Sequence, residues 1–163
     1  MGSSNFNMAE SINHVTAYTG DAAAVGICDY VNANNIRRMW ALVEFKYGAD
    51  VNLAIEVYEA DDVAGTNQQA ITKDMPIWSN IDMSLTNEWL RSVPGTPQPV
   101  EAASYTIDTG AGKNQKVMIQ IDPVILTQGK SAIAVFLGNS DIANIVNVSY
   151  FVEPRIFGQS HLA

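Results

Sequence analysis

The sequence predicts an all-β fold, an antiparallel two-sheet sandwich of jelly-roll-like design with about eight strands. Three observations carry this. Apolar and polar residues alternate with period two along most of the chain, the mark of strands buried on one face. Turn residues interrupt that alternation at short intervals. Charged residues make up only 16% of the 163 residues, too few for long solvated helices.

The clearest strand covers residues 50–60, where Val51, Leu53, Ile55 and Val57 share one face. Residues 37–47 alternate too, with Ala41, Val43, Phe45 and Tyr47 opposite Trp40, Leu42, Glu44 and Lys46. This strand is apolar on both faces near Trp40, so a second sheet and a neighbour are both expected to cover that end. The link Tyr47-Gly48-Ala49-Asp50 is short and contains Gly, so the two strands are expected to pair as an antiparallel hairpin. In the second half, residues 116–122, 132–137 and 146–153 repeat the pattern; Pro123 and Pro154 end the first and third runs. Weaker strands are expected at 11–19, 26–31, 69–72, 77–81 and 101–108. Residues 85–93 suit a helical turn or two, with Thr86 as N-cap. Residues 92–100 hold three of the six prolines and read as a crossover within one sandwich, since either half alone leaves sheet faces uncovered. The expected organisation is an N-terminal arm (1–10), a sandwich domain (11–154) and a C-terminal tail (155–163).

A net charge of −8 repels phosphate backbones and anionic lipid, so neither nucleic acid nor membrane is an expected partner. The first residues have no basic region and no apolar core, so no secretory signal is expected there.

Catalytic groups are sparse. Cys28 is the single cysteine; it sits in an apolar stretch before Asp29 and reads as a buried structural thiol. His14 and His161 are far apart in sequence, and no metal cluster, cofactor or enzyme activity is expected. Asp61-Asp62 offers either a weak Ca²⁺ site or a solvated turn; without D-x-D-x-D-G spacing, the turn is favoured. Gly110-Ala111-Gly112-Lys113 lacks the spacing of a phosphate loop and reads as a turn. Asn147-Val148-Ser149 fits a glycosylation sequon but lies within a strand. Trp40, Trp78 and Trp89 suit either a sugar-stacking platform or core and interface packing, of which packing is the commoner use. The Arg37-Arg38 doublet suits either an ion pair to a partner or a solvated strand start. Ile156, Phe157 and Leu162 are apolar residues beyond the last strand, and suit either docking on a partner or packing on the sandwich.

Four segments together resemble the capsid cement, or decoration, proteins of tailed bacteriophages. They are RRMWALVEFKYGADVNLAIEVYEADD, GTNQQAITKDMPIWSNID, YTIDTGAGKNQKVMIQIDP and IAVFLGNSDIANIVNVSYFVEPR, the last closing on Tyr150 and Arg155. The resemblance implies a structural virion protein that self-associates as a dimer or trimer. It would be made in the host cytoplasm, bind the major capsid protein on the exterior of an icosahedral head, and stabilise the shell. Arg37, Arg38, Arg155, Ile156, Phe157 and Leu162 are the candidate partner contacts. The alternative is a carbohydrate- or protein-binding β-sandwich module.

Overall fold

A computed structural model describes residues 12–84, 89 and 100–155. Twelve strands run in chain order: β1 (Asn13–Asp21), β2 (Gly26–Ile27), β3 (Val31–Asn32), β4 (Ile36–Lys46), β5 (Leu53–Ala60), β6 (Gln69–Ala70), β7 (Met75–Asn80), β8 (Val100–Ala102), β9 (Ser104–Ile107), β10 (Gln115–Ile121), β11 (Ala132–Leu137) and β12 (Ile145–Pro154). They form two antiparallel sheets packed as a sandwich. Sheet I has the order β1-β12-β4-β10-β7-β8; sheet II runs β2-β11-β5-β6, with β3 added on β11 and β9 on β5. Each sheet takes strands from both sides of residues 92–100. The count exceeds eight because the weak strands expected at 26–31 and 101–108 each resolve into two short ones, β2 with β3 and β8 with β9. The helical turn expected at 85–93 lies outside the described residues except for Trp89, as do the arm 1–10 and residues 156–163 of the tail.

The period-two pattern maps onto the core. Met39, Ala41, Val43 and Phe45 of β4 are buried between the sheets, as are Val117, Ile119 and Ile121 of β10 and Val146, Val148, Tyr150 and Val152 of β12. Leu53, Ile55 and Val57 of β5 and Ile133, Val135 and Leu137 of β11 line the same core from sheet II. Tyr150 joins the two layers: its ring is fully buried and its hydroxyl accepts a hydrogen bond from the Val135 amide at 2.9 Å. That bond keeps the one polar atom of a large buried ring satisfied.

The hairpin expected between residues 37–47 and 50–60 does not form. β4 pairs with β12 and β10, whereas β5 pairs with β11, β6 and β9. The chain leaves sheet I at Tyr47 and enters sheet II at Leu53. Two strands with apolar faces of similar length bury more by facing each other across the core than by lying side by side. Asn144 fixes this corner. Its side-chain oxygen accepts from the Gly48 and Ala49 amides at 2.7 and 2.8 Å, and its Nδ2 donates to Ser140 Oγ at 2.9 Å and to the Val51 carbonyl at 3.3 Å. Gly48 is required because a Cβ there would collide with the Ala143 carbonyl oxygen.

Candidate functional site: the outer face of sheet I

On β4 the residues between the core positions point away from the sandwich, and they are unusually apolar. The register sets them in rows across the sheet. One row runs His14, Phe151, Trp40, Gln120 over β1, β12, β4 and β10. The next runs Thr16, Ser149, Leu42, Met118, Trp78 and reaches β7. The third runs Thr19, Asn147, Glu44, Lys116, Asn80. The middle of this outer face is therefore aromatic and aliphatic, with polar residues at its ends. Trp40, Trp78 and Trp89 converge with Met118 and Gln120 around a groove of about 320 Å³. Trp89 is 41% exposed. The tryptophans thus lie on the outside of the sandwich rather than in its core, so core packing is the role the structure overturns.

The ends of the face are charged. At one, the Arg38 guanidinium lies over the Trp40 ring at 5.7 Å, a cation–π contact; its Nε is buried without a hydrogen-bond partner among the described residues. Arg37 pairs with Glu153 at 3.1 Å. At the other end, Glu44 binds Lys116 at 2.8 Å and accepts from the Asn147 amide at 3.0 Å. Lys116, with Asn147 beside it, holds the Glu44 carboxyl below the usual carboxylate range despite the opposing effect of burial. A second groove of about 310 Å³ borders this end, lined by residues that include Glu44, Lys46, Met83 and Ile145. His14 stacks on Phe151 with ring centroids 5.1 Å apart.

The other sequence candidates fall elsewhere. Arg155 is used within its own chain: its amide donates to the Asn35 carbonyl at 2.9 Å and its Nε to the Ile36 carbonyl at 3.1 Å, tying the end of β12 to the start of β4. Ile156, Phe157 and Leu162 lie outside the described residues. Asp61 accepts from Lys130 Nζ at 2.8 Å and Asn67 Nδ2 at 2.6 Å, and Asp62 from the Ala64 and Thr66 amides and the Thr66 hydroxyl. Asp62 closes its own turn, and Asp61 ties that turn to Lys130 in the connection before β11. Gly112 holds φ +64° in the turn before β10. Among the described residues no three of His, Cys, Asp and Glu gather as a metal site, and no helix is long and apolar enough to cross a membrane.

Two buried groups report on the frame behind this face. Burial, with the Asp29 charge beside it, pushes the Cys28 thiol up to about 12. The thiolate is the reactive form, so the folded chain is expected to leave Cys28 unlabelled by Ellman's reagent at pH 8, with one equivalent released on unfolding; prompt labelling of folded protein would contradict the packing. Glu59 of β5 is 2% exposed. Burial alone would raise its pKa, but hydrogen bonds from Thr127 and Gln69 and the Lys130 charge outweigh it and leave the pKa lowered. A lowered folded pKa contributes stability that is present above the unfolded value, roughly 4.3, and is lost as pH falls through the folded one. Thermal melts over the acid range are expected to fall less steeply for Glu59→Gln than for the parent chain, and parallel curves would remove Glu59 from the account.

No protein-family model matches the chain, and no curated protein matches it. Among solved structures, one similar chain is described as a candidate sugar binding protein from Bacteroides thetaiotaomicron VPI-5482. Identity is 13% and the TM-score 0.31, over 88% of this chain and 66% of that one. A likeness of that size carries no argument about ligand or partner.

Proposed function

We propose that this chain is a non-catalytic β-sandwich module that docks on a protein surface through the outer face of sheet I. One observation carries the reading: Trp40, Leu42, Met118, Trp78 and Phe151 occupy adjacent outward positions of a sheet whose opposite side already packs the core. Part of this face meets Trp89 of the same chain, and the apolar stretch beyond it matches an interface core, which is built from Trp, Met, aromatic rings and Arg. The resemblance to cement proteins supplies the partner class: the major capsid protein on the exterior of a tailed-phage head, where the module would stabilise the shell.

A second reading, a glycan site, is favoured by the Gln120 amide set among the tryptophans of the 320 Å³ groove. Sugar sites place several hydrogen-bonding groups around an aromatic platform, and apart from the indole N–H groups Gln120 is the one polar side chain among the described lining residues. The protein-docking reading is accordingly preferred. Co-sedimentation of the full chain with empty tailed-phage heads tests it. The parent chain is expected to pellet with heads and Trp40→Ser to remain in solution. Equal pelleting of both overturns the face, and binding to a glycan array in place of heads transfers the site to sugar.

A further inference from the structure

We infer that the cavity beside the end of β5, between β6 and the connection from β10 to β11, binds a small amino acid, a molecule with one ammonium and one carboxylate group. The site goes beyond the docking reading. Its described lining shares no residue with the groove of the three tryptophans.

The observation is a carboxylate where the strand pattern calls for an apolar side chain. Leu53, Ile55 and Val57 of β5 face the core, and Glu59 follows them on the same side of the strand. Burying a carboxylate is costly unless a cation and hydrogen bonds compensate it. Among the described residues Glu59 forms no ion pair. The charge of Lys130 reaches it, but that ammonium is committed to Asp61 at 2.8 Å. Neutral donors hold Glu59 instead. Gln69, opposite it in register, donates from Nε2 to Oε1 at 2.6 Å. The Thr127 amide donates to Oε2 at 2.8 Å, and the Thr127 hydroxyl is a third donor. A carboxylate offers about four acceptor positions, so one stays open.

Glu59 lines a cavity of about 210 Å³, walled in part by Ile71 and Ile125. Lys73 lines the same cavity. Its Nζ donates to the Ile125 carbonyl at 2.6 Å, and no carboxylate of the described residues pairs with it. An ammonium has three donors, so two remain for an incoming group. One small cavity thus holds an anion and a cation that pair neither with each other nor with another charge among the described residues. A zwitterion satisfies both, with its ammonium on Glu59 and its carboxylate on Lys73, each through charge-assisted hydrogen bonds. A lone metal ion or amine would be repelled by Lys73, and a lone anion by Glu59.

Size narrows the class. Pockets for drug-sized molecules run from about 300 to 1,000 Å³. A liquid water occupies about 30 Å³, so this cavity exchanges roughly seven waters, which suits an amino acid with a small side chain or a short spacer. A residue that breaks the local pattern, as Glu59 does, is what a functional site is expected to show.

The experiment is a titration of the full chain with glycine, β-alanine and 4-aminobutyrate, which set the two charges at increasing separation. The NMR signals of the Thr127 amide and the Gln69 side-chain amide report binding. At least one of the three is expected to shift both signals saturably, with a Kd of about 1 mM or tighter. Methylammonium and acetate carry one charge each and are expected to bind at least about tenfold more weakly. Lys73→Met changes an exposed side chain; it is expected to leave the melt unchanged and to weaken binding at least about tenfold, as is Glu59→Gln for binding. If Glu59→Gln fails to fold, Lys73→Met decides. The inference is overturned if none of the three amino acids shifts the two signals saturably, or if either folded variant binds as the parent does. It is overturned too if acetate or methylammonium binds as tightly as the best amino acid, which would make this a site for a single ion.

Discussion

Asn144→Ala is expected to lower the unfolding free energy by about 3–4 kcal/mol, because it strips partners from several inward-facing polar groups at once. Asn144 is fully buried. Its oxygen serves the Gly48 and Ala49 amides, and its Nδ2 serves Ser140 Oγ and the Val51 carbonyl. Alanine fills none of these needs, and the corner where the chain passes from sheet I to sheet II loses its brace. For a chain of this size the loss corresponds to a melting temperature lower by roughly 10 °C. Asn144→Asp keeps the acceptor for both amides but loses the Nδ2 contacts and buries a carboxylate against the Val51 carbonyl, so it too is expected to destabilise. Gly48→Ala should be comparably damaging for a different reason, since its Cβ would meet the Ala143 carbonyl oxygen and backbone must move. Urea titration of the three variants measures this. A near-neutral Asn144→Ala would mean that the corner is held by the strands alone.

Trp40→Ser and Val43→Ala are expected to behave oppositely, although they lie three residues apart on one strand. Trp40 points outward and contributes a cation–π contact with Arg38, worth about 0.5–1 kcal/mol at a partly exposed site. Its loss should cost stability modestly, since part of the ring stays exposed. If the outer face docks a partner, the same change removes an aromatic anchor near the centre of the contact, where truncations commonly cost about 2 kcal/mol or more, roughly thirtyfold in affinity. Val43 is fully buried between the sheets, so its truncation should cost stability through lost packing and leave affinity intact. Paired melts and binding isotherms distinguish the two. A Trp40→Ser chain that unfolds readily but binds normally would make the tryptophan a structural residue.

Much of this architecture is legible in the sequence because period two records burial directly. The inward residues of β4, β5, β10 and β12 are the ones the alternation selects. The same alternation exposes the unusual feature of β4, which is apolar on both sides around Trp40, and an outward apolar stripe implies a cover beyond the sandwich. The partner strand is less legible. Tyr47-Gly48-Ala49-Asp50 announces a reversal but does not say whether the next strand joins the same sheet or the facing one; that choice depends on Asn144, nearly a hundred residues on. Nor does alternation give register. Trp40 and Trp78 share one groove because β10 lies between β4 and β7 and sets Met118 opposite Trp78 and Gln120 opposite Trp40. No local signal links those positions. The Arg37-Arg38 doublet is informative only in part, since its two members point apart: Arg37 to Glu153, and Arg38 onto Trp40.

The most direct test of the docking face is hydroxyl-radical footprinting of Trp40, Trp78 and Met118, comparing the isolated chain at low concentration with the same chain sedimented on a tailed-phage head particle, the partner proposed for it. Oxidation of all three is expected to fall sharply in the particle, while that of Tyr58 on the outer side of sheet II stays unchanged. Equal oxidation of the three residues in both states would place the face in open solvent and contradict the account.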